Sequence, residues 1–136
     1  MTRKIIVGIG MCLMLSLPLL AHHPFSSEYD WKKPVTVSGK VTKLDWSNPH
    51  AHLFVDVVGA DKKVSHWEFE MGSTNALENV GWNKTSVKTG DMVTVDAWMS
   101  KHKNNLANMK SIKLADGKEL SVASSIADAN TAETTK

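Results

Sequence analysis

The sequence predicts a mainly β domain, a small five-stranded OB-fold-like antiparallel barrel with one short helix between strands 3 and 4. Two observations predict it. Five segments alternate apolar and polar residues, as strands with one buried face do. A capped helical pattern interrupts them after the third. An antiparallel sandwich with one helix is the alternative, but the position of the helix favours the barrel. The strands are expected at 35–41, 50–58, 64–71, 92–99 and 106–114, and the helix at 73–82.

The boundaries of these elements follow from local chemistry. Strand 1 ends before Asn48-Pro49, because proline has no N–H for a ladder and disfavours helix at its neighbour. Ser73 or Thr74 is expected to cap the helix, and Gly81 to end it. Turns rich in Gly, Asp and Lys connect the remaining strands. A short extension is expected at 119–122.

Residues 1–21 have the pattern of a signal peptide. Arg3 and Lys4 precede an apolar run that ends in Pro18 and a small residue, Ala21. The run is shorter than the roughly 20 apolar residues of a membrane helix. We therefore expect cleavage after Ala21, a periplasmic or secreted protein, and no stable membrane insertion afterwards. Residues 22–33 are expected to form an irregular arm, 34–122 the barrel domain, and the polar segment 123–136 a disordered tail.

Removal of this leader would change the charge balance. The chain has 16 Lys+Arg and 14 Asp+Glu, and Arg3 and Lys4 belong to the leader, which leaves 14 basic against 14 acidic residues. A nearly neutral chain lacks the basic surface that nucleic acids require. The single cysteine, Cys12, also lies in the leader. Thiolate catalysis, thiolate metal sites and disulfides are therefore not expected in the mature protein.

The best functional lead is the polar face of strands 2 and 3. The period of two places His50 and His52 on one side of strand 2, and Glu68 and Glu70 on one side of strand 3. OB-fold proteins usually bind ligands on this face. Two imidazoles two residues apart are a recurrent start of a metal site for copper or zinc, which the carboxylates could complete. The alternative is a set of ordinary surface side chains.

Two further groups are candidates. Trp46 and Asn48 lie in the loop between strands 1 and 2, where they could contact a small ligand or cofactor. Cleavage after Ala21 would give His22 a free α-amino group, which chelates copper together with its own imidazole. His23 would lie beside it. The alternative for these two histidines is a flexible pair at a new terminus. The candidate metal ligands are thus His22, His23, His50, His52, Glu68 and Glu70.

Three segments resemble a known family. His22-His-Pro-Phe-Ser-Ser-Glu-Tyr-Asp30, Trp46-Ser-Asn-Pro-His50 and Trp67-Glu-Phe-Glu70 are similar to motifs of small exported bacterial proteins classed as a domain of unknown function. The resemblance implies export and a small β-rich fold, but it brings no activity. Pro24 and the Ala51-His52 dipeptide depart from the usual family pattern.

Three hypotheses follow for the function. The first is a non-enzymatic exported binding module whose ligand is a divalent metal, a small molecule or a partner protein. The second is a copper-dependent redox enzyme or copper carrier that uses His22. The third is a structural accessory domain that adds a strand to an envelope complex. We expect a binding protein rather than an enzyme, because no catalytic triad, phosphate loop or dinucleotide motif is present, and we assign no catalytic residue.

Overall fold

The computed structural model describes residues 25–122, which form six strands and two short helices. The expected signal peptide, His22, His23 and the expected tail lie outside these residues. Within the described range, no helix is long and apolar enough to cross a bilayer. The elements are α1 (Phe25–Glu28), β1 (Tyr29–Asp45), β2 (His52–Val58), β3 (Val64–Glu70), α2 (Thr74–Asn79), β4 (Met92–Ser100), β5 (Leu106–Leu114) and β6 (Glu119–Ser121).

The strands close into a ring. Antiparallel neighbours follow the order β3-β2-β1-β4-β5-β6, and β3 also pairs with β5 in parallel. This parallel contact joins Glu68, Phe69 and Glu70 to residues 106–108 of β5. The prediction of a mainly β, barrel-like antiparallel fold with a helix between β3 and β4 is confirmed. Because the β3–β5 contact is so short, the ring is not a fully closed barrel.

The sixth strand occupies the edge of β5 that β3 leaves open. β6 pairs with residues 111–113 of β5, just beyond the stretch paired with β3. The indole Nε1 of Trp82, which follows α2, donates a 2.9 Å hydrogen bond to the Ser121 carbonyl. The extension expected at 119–122 is therefore a short strand that the buried Trp82 holds in place.

The prediction of an irregular arm at 22–33 is wrong for its described part. Residues 25–28 form α1, and β1 already begins at Tyr29. The register between β1 and β4 shifts between Tyr29 and Pro34. Such a bulge interrupts the alternation of buried and exposed residues, and residues 31–34 are all exposed. The period of two therefore could not reveal this part of the strand.

The remaining boundaries differ by a few residues. β2 begins at His52 rather than at residue 50, and α2 ends at Asn79. The Ser73 Oγ accepts the Ala76 amide at 3.3 Å, so Ser73 is the helix cap. Gly81 has a φ of 94°, the left-handed conformation expected after a helix. Helix ends fray, and a difference of one or two residues there is ordinary.

The core lies inside the ring and is built from the inward-facing residues of each strand. Leu53 and Val55 of β2 and Phe69 of β3 are fully buried, as their alternation predicts. Leu77 of α2 is also fully buried and packs in the same cluster. Gly39 of β1 lies where β2 passes closely, and a Cβ there would overlap the Asp56 carbonyl. The opposite faces of β2 and β3 carry the histidines and carboxylates, with Phe54 among them.

Candidate functional site

The pairing of β2 with β3 brings histidines and carboxylates onto one face. His52 is directly opposite Glu70, and Asp56 is directly opposite His66. Directly paired residues point to the same side of a sheet. Their neighbours on β2, Leu53 and Val55, point into the core. The prediction that the imidazoles and acids share the outer face of these strands is confirmed.

Two histidine–carboxylate pairs lie at the loop end of this face. The Nδ1 of His50 is 2.9 Å from the Glu70 Oε1, and the Nδ1 of His52 is 3.0 Å from the Glu68 Oε1. All four side chains are between 19% and 33% exposed, so each pair is half-buried and in contact with solvent. A carboxylate beside Nδ1 favours the tautomer in which Nδ1 carries the proton.

The two pairs differ in how well the imidazole and the carboxylate are hydrogen-bonded. The His52 Nδ1 is buried and, among residues 25–122, has no hydrogen bond of good angle. Its 3.0 Å contact with Glu68 is thus a close ion-pair distance rather than an aligned hydrogen bond. Two Glu70 oxygens are engaged, because Oε1 faces His50 and Oε2 accepts a hydrogen bond from Tyr29. The His50 pair is the better fixed of the two.

Each carboxylate has a second partner behind it. The Tyr29 hydroxyl donates a 2.5 Å hydrogen bond to the Glu70 Oε2, and the Tyr29 side chain is buried. The Lys103 Nζ lies 3.4 Å from the Glu68 Oε2. The face therefore contains two rows of three side chains, which we call the tyrosine row (Tyr29, Glu70 and His50) and the lysine row (Lys103, Glu68 and His52).

Electrostatics fix the protonation states of Glu70 and Tyr29. Burial acts to raise the pKa of Glu70, but hydrogen bonds from His50 and Tyr29 outweigh it and hold that pKa below its usual range. Burial, followed by the hydrogen bond to Glu70, raises the pKa of the Tyr29 phenol. At neutral pH Glu70 is therefore a carboxylate, and Tyr29 is a neutral donor.

The helix α1, which directly precedes Tyr29, is anchored by aromatic packing and by hydrogen bonds from the β4–β5 loop. The Phe25 ring packs against Tyr29 with centroids 5.3 Å apart, and meets Trp98 of β4 edge-on at 5.6 Å. The Lys101 Nζ donates to the Ser26 carbonyl at 2.6 Å. Its backbone N–H donates to a second α1 carbonyl at 2.8 Å. The His102 Nε2 is 2.8 Å from a third carbonyl oxygen of α1. The β4–β5 loop therefore holds α1 beside the site.

The structure places the candidates Trp46 and Asn48 in supporting positions. The Asn48 Oδ1 accepts hydrogen bonds from both the backbone N–H and the hydroxyl of Thr74, each at 3.1 Å. These bonds tie the β1–β2 loop to the start of α2. The Asn48-Pro49 peptide bond in this loop is cis. Trp46 is half-buried against the core. A cofactor role for either residue stays a prediction.

A third histidine–carboxylate pair lies farther along the same face. The His66 Nδ1 is 2.6 Å from the Asp56 Oδ1, but this imidazole is 81% exposed. Within residues 25–122, no group of three or more His, Cys, Asp or Glu side chains is arranged around a common metal position. A shallow surface depression lies elsewhere, between Ser38, Met92 and Lys113, and shares no residue with the two rows.

A comparison with family models identifies the family of the chain. Residues 11–109, well over half of the chain, match a family described as a family of unknown function, DUF6152. The chain belongs to this family. The matched range contains both rows and the whole of β1 to β4, so the family unit includes the candidate site. No curated protein gives a significant match to the chain.

The outer member of each row, Tyr29 or Lys103, is not among the candidate residues that the sequence predicts. Tyr29 falls in the predicted irregular arm, although it is the only tyrosine of the chain and lies in the segment 22–30 that carries the resemblance. Lys103 belongs to the β4–β5 loop, which borders the ligand face of OB-type barrels. The anchoring of this loop on β3, where the Glu68 N–H donates to the Asn105 carbonyl at 2.9 Å, could not be read from the sequence.

Proposed function

We propose that this protein is an exported binding module that holds a divalent metal ion, copper or zinc, on the outer face of β2 and β3. The observation that carries the proposal is the orientation of two neighbouring histidines. The His50 Nδ1 is hydrogen-bonded to Glu70 at 2.9 Å, and the His52 Nδ1 lies 3.0 Å from Glu68 without an aligned hydrogen bond. Histidines that ligate metals almost always direct their second ring nitrogen at such a partner, which fixes the ring and raises its basicity.

This arrangement assigns different roles to the four side chains. Because Nδ1 faces a carboxylate, Nε2 is the atom of each ring that would ligate the ion. Neutral imidazole nitrogen suits both copper and zinc. Glu68 and Glu70 then orient the ligands, which differs from the direct ligation that the sequence suggested for them. Two imidazoles do not complete a tetrahedral zinc site. Further ligands would come from water or from His22 and His23.

The second candidate, a copper carrier or copper redox enzyme, is favoured by the anchoring of α1. Phe25 is the third residue after His22, and three residues of extended chain span at most about 10 Å. Phe25 itself packs on Tyr29, the outer member of the tyrosine row. An amino terminus at His22 would therefore begin close to this row. Its amine and imidazole, with one ring from the face, form a three-nitrogen set suited to Cu(II).

Metal titration of the processed protein tests the proposal. The wild type is expected to bind Zn(II) or Cu(II) far more tightly than the roughly millimolar affinity of one exposed histidine. His50→Ala and His52→Ala should each weaken binding by at least 100-fold. Glu70→Gln and Glu68→Gln should weaken it about 10- to 100-fold. His66→Ala is the matched control, since His66 also pairs with a carboxylate on this face, and should bind like the wild type.

Two results would reject the metal function. One is a millimolar affinity of the wild type, which would favour a small molecule or an envelope partner instead. The other is an equal loss in His66→Ala, which would indicate scattered surface binding. Mass spectrometry of the exported protein separates the two candidates. If the chain starts at His22, blocking the amine should reduce Cu(II) affinity much more than Zn(II) affinity. Any other start removes the copper candidate that depends on His22.

A further inference from the structure

We propose that Tyr29 is a positioning residue of the metal site, which fixes the ring of His50 through the carboxylate of Glu70. The segment Phe25–Tyr29 is then part of the binding site and not a linker to the barrel. The metal part of this inference rests on the proposed function. The positioning of His50 by Tyr29 can be tested without a metal.

The geometry divides the two oxygens of Glu70 between two donors. Oε2 receives the Tyr29 hydroxyl at 2.5 Å, and Oε1 faces the His50 Nδ1 at 2.9 Å. A carboxylate held at one oxygen only can rotate about its terminal bond, which is a soft torsion. Held at both, it presents Oε1 in one direction. The Tyr29 hydroxyl therefore fixes the orientation of the His50 ring through the Glu70 carboxylate.

Tyr29 is itself rigid, which is necessary for this role. Its side chain is only 4% exposed. Phe25 packs on its ring, and Trp98 in turn contacts Phe25. Tyr29 also pairs with Ser100 of β4. A phenol fixed by aromatic packing and by a strand pairing loses little further entropy when it holds a carboxylate.

The lysine row has no rigid, buried donor equivalent to Tyr29. The Lys103 side chain is 65% exposed and its Nζ lies 3.4 Å from Glu68. Exposed lysine pairs are screened by water and contribute little. His50 is therefore expected to be the more ordered of the two proposed ligands. The electronic effect of the phenol, which withdraws some charge from Glu70, opposes the positional effect. It is small, because the donor is neutral and the carboxylate stays ionised.

Tyr29→Phe removes the hydroxyl and keeps the aromatic packing, so it is the variant of choice. Zn(II) affinity of the otherwise unchanged exported protein should fall about three- to tenfold, less than the 10- to 100-fold expected for loss of a carboxylate that directly orients a ligand, because Tyr29 acts on His50 only through Glu70. The loss should disappear in a His50→Ala background and persist in a His52→Ala background. Lys103→Met is the matched control for the lysine row, and should change the affinity less than twofold.

Nitrogen NMR of the histidine rings supplies the readout without metal. In the wild type, His50 should show one tautomer with the proton on Nδ1. In Tyr29→Phe it should become a mixture of tautomers, while His66 does not change. An unchanged His50 signal, or equal Zn(II) affinities of Tyr29→Phe and wild type, overturns the inference. If the wild type binds no metal but the His50 tautomer responds to Tyr29→Phe, the proposed function fails and the positioning by Tyr29 stands.

Discussion

Replacement of Glu70 by glutamine is the perturbation whose effect on stability follows most directly from the structure. The glutamine keeps the size of the side chain and one oxygen acceptor, but it loses the charge. Glu70 is only 19% exposed and receives hydrogen bonds from Tyr29 and His50. Hydrogen bonds to a charged group contribute about 1.5–3 kcal/mol. An amide NH₂ would also face the donor Nδ1 of His50. We expect Glu70→Gln to lower the free energy of unfolding by about 1.5–3 kcal/mol at pH 7.

The difference in the free energy of unfolding between wild type and Glu70→Gln should decrease as the pH falls. The folded state holds the pKa of Glu70 below its usual value, which is about 4.3 in an unfolded chain. The stabilisation is therefore fully present above the unfolded pKa, and it disappears as the pH falls through the lower, folded pKa. Once Glu70 is protonated in both states, wild type and Glu70→Gln should have similar stabilities. The comparison isolates the charge from the shape of the side chain.

Urea denaturation of both proteins at pH 7 and at a series of successively lower pH values measures this difference. For a domain of about 100 residues, 1 kcal/mol corresponds to a shift in Tm of about 4–8 °C, so thermal unfolding is a sufficient second assay. Glu68→Gln is the matched control, because Glu68 pairs with the exposed Lys103 and should cost less. Equal stabilities at pH 7, or a difference that does not change with pH, would refute the reasoning.

Three other substitutions test the elements that hold the site. Leu77→Ala removes a fully buried side chain of α2, and should cost about 2–5 kcal/mol in chemical denaturation. Gly39→Ala places a methyl group against the Asp56 carbonyl. We therefore expect the free energy of unfolding to fall by about 1–3 kcal/mol and the amide NMR signals of β1 and β2 to shift. A Tm equal to that of the wild type would contradict this. Asn48→Ala removes the acceptor for both Thr74 donors, and should cost about 1–2 kcal/mol, whereas Asn48→Asp, which keeps an acceptor, should restore most of it.

The alternation of residues in β2 and β3 was sufficient to predict which side chains share a face. His52 and Glu68 fall on one side and Leu53 and Phe69 on the other, because the period of a strand is two and each strand has one buried face. The order of the elements was sufficient for the barrel-like topology. The contact between β3 and β5 that closes the ring is three residues long and has no signature in the sequence.

The outer members of the two rows depended on tertiary structure. Tyr29 lies before a shift in strand register, so no periodic pattern extends to it. Lys103 reaches Glu68 only because the β4–β5 loop lies against β3. Side-chain contacts across 35 to 41 positions of sequence require the fold to be known. The sequence could therefore predict the histidines and carboxylates, but not the residues that orient them.

A crystal structure of the protein loaded with Zn(II) or Cu(II), with the ion located by its anomalous scattering, tests the proposed site most directly. We expect one ion bound by the Nε2 atoms of His50 and His52, with the Nδ1 of His50 still directed at Glu70 and the Nδ1 of His52 still directed at Glu68. An ion held by the carboxylates themselves, an ion at His66, or no ordered ion near β2 would contradict it.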